Sequence, residues 1–278
     1  MKRWALLVLV ACERGHAPPA TGSAEPPKPA VARVAIDAAA PDLPPPWKEV
    51  PPPTEDQLMC ANHGDQWAVT VDVKGVHVAK QEPREPDTGP TLPFKPGKDV
   101  LANGRRHTLA VSDGFIVGID GGEWGGSLDW FSGDGRKHAS LGKPNVSAVL
   151  SLGADEVLVL SGLNHLGLEE GTAQWFARDA KGWHAGTSVK LDGGPETSID
   201  AGDAIYTVTP NSLVRIGRDR KIEVVAAQPT GILYPDSMAV DAQHRLWIGM
   251  RGFVVKIEPG NGYRATWYAN VTPCASSG

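Results

Sequence analysis

Apolar residues along this chain come in short runs of about four to six, each broken by a polar or glycine turn, and the runs recur. The clearest stretch is Pro235 to Glu258, PDSMAVDAQHRLWIGMRGFVVKIE. Its pattern predicts a strand over Ser237–Val240, a polar turn over Asp241–His244, a second strand over Leu246–Gly249, a glycine turn at Gly252 and a third strand over Phe253–Ile257. Four looser copies precede it at intervals of about 40 residues. The first has Trp67–Asp72 and Gly75–Ala79, followed by a proline-rich excursion over Glu82–Gly97 that reads as a long loop or a degraded outer strand. The second has His107–Ser112, Phe115–Asp120, Ser127–Ser132 and Lys137–Leu141. The third has Ser147–Leu152, Glu156–Ser161, Ala173–Arg178 and Gly182–Leu191. The fourth has Thr197–Ala201, Ala204–Thr209, Leu213–Ile216 and Ile222–Ala226, and Arg264–Ala269 completes the fifth.

Turn chemistry agrees with this division. Asp113-Gly114 is a hairpin signal, and Gly133-Asp134-Gly135 and Asp179–Gly182 suit the turn before a fourth strand. Many short strands with no long helical periodicity between them predict an antiparallel all-β fold. A repeat of this length points to a β-propeller of five blades; six are possible if Glu82–Asn103 holds strands, and a sandwich is the rival.

The N-terminus has a different character. Met1–Cys12, MKRWALLVLVAC, places Lys2 and Arg3 before a short apolar run that ends in Leu9-Val10-Ala11-Cys12. The run is too short to span a bilayer, for which roughly 20 apolar residues are needed, so it reads as an export signal over residues 1–11. Its end resembles the lipobox of bacterial lipoproteins. That resemblance implies cleavage before Cys12, acylation of the Cys12 thiol and, with Glu13 following, sorting to the outer membrane. An ordinary secretory signal cut near Ala20 is the alternative. From Glu13 to Asp56 the chain holds 12 of its 24 prolines, including Pro44-Pro45-Pro46 and Pro51-Pro52-Pro53, with many alanines. Such composition favours extended, poorly buried chain. Residues 12–56 are therefore expected to be a disordered tether, or a proline-rich recognition peptide, and residues 57–278 the folded domain.

Composition narrows function mainly by exclusion. With a net charge of −5 the chain has no overall basic field for nucleic acid. Besides Cys12 only Cys60 and Cys274 occur, so cysteine-ligated zinc and CxxC redox chemistry are not expected. These two lie 214 residues apart, at opposite ends of the folded domain. In an exported protein they are expected to form a disulfide that fastens first blade to last, worth about 4–5 kcal/mol on the chain-entropy model; two buried free thiols are the alternative. The six histidines other than His16 and His165 show no HxxxH or HxH spacing, and neither GxSxG nor HExxH occurs. Gly133-Asp134-Gly135 resembles a calcium loop but lacks the EF-hand spacing.

Two connections between second and third strands are elaborated: Gly121–Gly126, GGEWGG, and Gly162–Gly171, GLNHLGLEEG. They hold the same place in their repeats and so should emerge on the same face. Glu123 and Trp124 would offer an acceptor and a stacking surface, and His165 with Glu169 or Glu170 could orient a ligand or act as an acid–base pair. Solvated loop charges on glycine-permitted turns are the alternative. GGEWGG lacks the strand-to-helix setting of a dinucleotide fingerprint.

The residues Pro235–Gly249, PDSMAVDAQHRLWIG, are similar to blade motifs of gluconolactonase-like enzymes, virginiamycin B lyase-like proteins and the propeller sensors of two-component systems. In gluconolactonase-like propellers the matching position, Asp236, would be a metal ligand. The companion Glu and Asn ligands have no match; the middle repeats offer Glu196 and Asn145 outside the expected motifs. The resulting expectation is a monomeric, non-catalytic binding or scaffold module of the cell envelope, recognising a protein, peptide or glycan, with no cofactor and no metal. The rival is a metal-dependent hydrolase or lyase using Asp236, Glu123 and His165.

Overall fold

In the second strand of the later four repeats the apolar run is continuous rather than alternating, which is what a strand covered on both faces requires. The computed structural model agrees: Ile116, Val117, Val157, Leu158, Leu160, Ala204, Trp247 and Ile248 are wholly buried, whereas the second strand of the first repeat, Gly75–Lys80, has no buried residue. The structure describes residues 42–81, 87–97, 100–165, 168–227, 230, 232–258 and 262–270.

Among the described residues there are five antiparallel sheets. The first pairs β2 (Trp67–Asp72) with β3 (Gly75–Lys80). The second runs β4 (Arg105–Val111), β5 (Gly114–Asp120), β6 (Gly126–Ser132), β7 (His138–Gly142). The third runs β8 (Val146–Gly153), β9 (Glu156–His165), β10 (Leu168–Asp179), β11 (Gly182–Leu191). The fourth runs β12 (Thr197–Asp200), β13 (Ala204–Val208), β14 (Ser212–Gly217), β15 (Ile222–Ala227). The fifth runs β16 (Ser237–Val240), β17 (Leu246–Gly249), β18 (Val254–Glu258), β19 (Arg264–Ala269), with β1 (Lys48–Val50) added outside β19. First strands neighbour first strands: β2 lies against β16, β16 against β12, β12 against β8, and β8 against β4. This up-and-down order around shared inner strands is propeller-like. Apolar clusters between successive sheets form the core, such as Leu158, Leu160 and Trp175 of the third sheet with Ile205, Val214 and Ile216 of the fourth.

Three features depart from the sequence expectation. Residues 42–56 are not free tether: Leu43 and Trp47 are buried against the fifth sheet, and β1 pairs with β19. Proline content hid this, because prolines bracket the short strand without occupying its paired positions. A seven-residue helix, α1 (Glu55–Ala61), follows, with a Thr54 and Gln57 capping box. Finally, β9 and β10 continue through the expected turn, pairing Asn164 with Glu169 and His165 with Leu168. Within the excursion, residues 87–97 form no long strand; Leu92 is buried and Phe94 stacks on Phe115 and Phe131. The signal, Cys12 and most of the tether lie outside the described residues, as does Cys274. Cys60, on α1, is disulfide-bonded.

One carboxylate fixes the N-terminal segment. Asp42 accepts hydrogen bonds from Arg245 Nη1 (3.0 Å), Lys256 Nζ (2.7 Å) and Tyr268 Oη (2.7 Å). Burial alone would raise its pKa, but the Lys256 and Tyr268 hydrogen bonds and the charges of Lys256 and Arg245 hold it below the ordinary 3.8. The stabilisation is therefore present above pH 3.8 and is lost as pH falls through the lower folded value. We expect Asp42→Ala to cost about 1.5–3 kcal/mol at pH 7 and Trp47→Ala about 3–5 kcal/mol. In urea unfolding the Asp42→Ala deficit should shrink at pH 3 while the Trp47→Ala deficit should not. An Asp42→Ala deficit that is the same at both pH values would contradict the clamp.

Candidate functional site

The repeat puts one residue at the lead-in to each first strand, and the five lead-ins converge. They are Gln66 before β2, Arg105 at the start of β4, Asn145 before β8, Glu196 before β12 and Asp236 before β16. In three repeats a proline precedes this residue: Pro144, Pro195 and Pro235. Proline fixes its own φ and offers no N–H, so the chain enters the strand already extended. All five side chains line one cavity of about 720 Å³, well within the range of small-molecule sites. Its wall is completed by Gly122, Gly162, Leu163, Asn164 and Gly194, and by Asn62, Tyr234 and Arg251.

Glycines let the sheets approach closely enough to enclose it. A Cβ on Gly162 would sit 2.2 Å from the Glu170 carbonyl oxygen and 2.7 Å from Gly194 Cα; one on Gly126 would sit 2.2 Å from Ile119 O. Two asparagines then staple neighbouring backbones. Asn145 Oδ1 accepts from Gly121 N–H (2.9 Å) and its Nδ2 donates to Gly162 O (3.0 Å). Asn164 Oδ1 accepts from Gly194 N–H and its Nδ2 donates to Gly194 O, both at 2.7 Å.

The acids behave differently. Burial, helped by the nearby Glu169 carboxylate, pushes Glu196 up to about 8. Its Oε2 is buried with no hydrogen-bond partner. Burial also pushes Asp236 up to about 6, against the pull of a Gln66 hydrogen bond and the charges of Arg105 and Arg251. Its Oδ1 is buried and unpartnered as well. The Arg105 guanidinium is partly desolvated, which lowers its pKa against the charges of Asp120 and Asp236. Arg251 stacks on Tyr234 at 4.3 Å and donates to Asn62 O (2.9 Å) and Oδ1 (2.7 Å). The cavity is thus polar, and among its described lining residues the buried side-chain polar atoms without a hydrogen-bond partner are two carboxyl oxygens.

The residues singled out from sequence fall in two places. Glu123 and His165 meet, with Nε2 to Oε2 at 3.0 Å, and both side chains are about half exposed. Trp124 beside them is 87% exposed. The pair is not part of the cavity lining, because β9 and β10 stay paired through residues 164 and 169 and carry His165 beyond the rim. Glu169 accepts from Asn211 Nδ2 (2.9 Å) and acts on the cavity through its charge on Glu196. Asp236 alone of the expected residues is in the wall. Asp236, Glu123 and His165 therefore do not form one centre. Nor do the cavity residues suit the metal that the gluconolactonase resemblance implies: the Asn145 and Asn164 amides are committed to backbone, and a guanidinium charge acts on Asp236. Among the described residues no group of three His, Cys, Asp or Glu side chains could hold a metal ion. Sequence reasoning missed the lead-in ring because it aligned strands and their turns. The repeated Pro-Asn, Pro-Glu and Pro-Asp before first strands was the available signal.

A group whose folded pKa is raised binds its proton more tightly when folded, so it stabilises below the unfolded value and the contribution is lost as pH rises through the folded one. For Glu196 that window runs from about 4.5 to about 8. Glu196→Gln should therefore gain stability relative to the parent as pH rises from 5 to 8, on the order of 1 kcal/mol per pH unit. Urea titrations at pH 5, 6.5 and 8 measure it; a constant difference would place Glu196 in water and not in a dry wall.

No protein-family model matches this chain, and no curated protein matches it. Among solved structures it is similar to the extracellular domain of a hybrid two-component system from B. thetaiotaomicron, at TM-score 0.43 and 15% identity over 73% of this chain and 28% of that one. It is also similar to a gluconolactonase from Xanthomonas campestris, at TM-score 0.39 and 14% identity over 63% of this chain and 60% of that one. The chain thus spans less than two thirds of the length of either.

Proposed function

We propose that this protein is a membrane-tethered, non-catalytic binding module of the bacterial cell envelope, a five-bladed propeller that takes a small polar ligand, or the end of a peptide or glycan, in its central cavity. One observation carries the reading: five lead-in residues, one from each sheet, line a single polar cavity in which Glu196 and Asp236 each keep a buried oxygen without a protein partner. Buried polar atoms left unsatisfied cost stability, and a polar ligand in the cavity would satisfy these two. Cys12 would carry the lipid, the proline-rich stretch before residue 42 would hold the domain off the outer membrane, and the domain would work as a monomer. Cys274 would be the partner of Cys60. No helix among the described residues is long and apolar enough to cross a membrane. The hydrolase or lyase alternative needs Asp236, Glu123 and His165 around one cation, and their placement in two locations favours binding.

A thermal-shift screen of short peptides, oligosaccharides and small polar metabolites tests the cavity. A ligand at 100 times its Kd stabilises by about 2.7 kcal/mol. The stabilisation should fall sharply in Asp236→Ala and persist in Trp124→Ala. Stabilisation that survives Asp236→Ala and is lost with Trp124→Ala would move the site to the rim and overturn the proposal. Membrane fractionation of Cys12→Ser, which should release the protein to the soluble fraction, tests the anchor.

A further inference from the structure

We infer that the cavity takes a ligand bearing a protonated amine, with an ammonium group received at the unpartnered carboxyl oxygen of Glu196, and Asp236 offering a second acceptor in the same wall. The inference rests on the cavity being the ligand site, and it follows from which of the wall's groups are already used. Asn145 and Asn164 spend both ends of their amides on backbone. Gln66 donates its Nε2 to Tyr234 O (3.0 Å), and Arg251 donates to Asn62. Among the described lining residues, what remains buried and unsatisfied is two carboxyl oxygens, Glu196 Oε2 and Asp236 Oδ1. Once ionised these groups only accept, so a ligand that completes the wall in that state brings donors.

Charge separates a cationic donor from a neutral one. The arginine charges in the wall act on Asp236: both Arg105 and Arg251 pull its pKa down. Among the described residues the charge that acts on Glu196 is another acid, Glu169, which lies outside the lining. On the Glu196 side the described residues therefore set a second acid nearby and no counter-charge. A hydroxyl would satisfy the hydrogen bond there but not the field, whereas an ammonium does both. An anionic ligand would face Glu169 and Glu196 together.

Proton linkage gives the inference a signature. Glu196 must ionise to receive the ammonium, and burial with Glu169 beside it holds its pKa near 8. Binding at neutral pH then releases a proton, and apparent affinity climbs with pH until about 8. The other ionisable groups among the described lining residues are Asp120, Asp236, Arg105, Arg251, His63 and Tyr234. Of these Asp236, near 6, works in the same direction below neutrality.

The test is calorimetric titration of the full chain with 1,4-diaminobutane and with glucosamine, against 1,4-butanediol and glucose as uncharged counterparts. We expect the amines to bind at least tenfold more tightly than their counterparts. Their affinity should rise roughly tenfold between pH 6 and 7, and the heat should vary with buffer ionisation enthalpy as a proton is released. Glu196→Gln, which is isosteric with the protonated acid, should lose at least tenfold in amine affinity and lose most of the pH dependence. Asp236→Asn should weaken binding without abolishing that dependence. Equal binding of glucose or butanediol would overturn the amine while leaving the cavity a ligand site. Unchanged amine affinity in Glu196→Gln, or a flat pH profile in the parent, would also overturn it. If no probe binds, the amine inference falls, and the broader binding reading still stands or falls on its own thermal-shift screen.

Discussion

The way the N-terminal segment meets the fifth sheet depends on where the Asp42 carboxylate sits. Sheets that pack face to face through Leu, Ile and Val surfaces are attracted without direction, so apolar burial alone does not fix how the N-terminal chain meets the C-terminal sheet. Asp42 supplies the direction. Its oxygens are met by Arg245 from the approach to β17, Lys256 on β18 and Tyr268 on β19, residues more than 200 positions away in sequence. Lys256 is almost fully buried, and a buried ammonium is tolerable only when paired; Asp42 and Glu258 pair it. With that contact set, Leu43 and Trp47 drop into the apolar cluster under the fifth sheet and β1 falls into register with β19.

The same logic, an aspartate in a first turn gripping cations and indoles, holds sheet to sheet elsewhere. Asp113 accepts from Trp130 in its own sheet and from Trp183 and Arg178 in the next. Asp241 accepts from Trp247 and from Arg245, the residue that also reaches Asp42. Several of the tryptophans are thus more than apolar filler: their indole N–H groups aim at carboxylates that would otherwise be buried unpaired. These contacts sit at the opposite end of the first strand from the lead-in residues. They set sheet spacing at one end, and the cavity at the other end inherits it.

Much of this was legible in the residues. The strands of all five repeats could be read to within a few positions because two-sided burial leaves unmistakable apolar runs such as Val157–Leu160. The N-terminal clamp was not, since Asp42 and Trp47 sit in a proline-rich stretch whose composition reads as linker and whose partners are all distant. The hairpin through residues 162–171 was not either, because its glycines read as a turn although Gly162 and Gly171 are needed for close backbone approach to residues 193 and 194. Among site residues Asp236 was visible, and Glu196 and Asn145 were noticed without a role. Their role depends on a convergence of five strand ends that only the ring geometry creates.

The contrast between the two groups of candidate residues shows what to look for in such folds. Glu123 and His165 look more like chemistry in the sequence, yet they satisfy each other in solvent, where an exposed pair contributes little. Glu196 looks unremarkable in the sequence, yet it lines the cavity near another acid with a buried oxygen that no described residue serves. A fold can dispense with a solvated pair at small cost, whereas an unsatisfied buried carboxyl destabilises it continuously. The physical case for function therefore attaches to the group the protein keeps at its own expense, and here that is the Glu196 and Asp236 side of the ring.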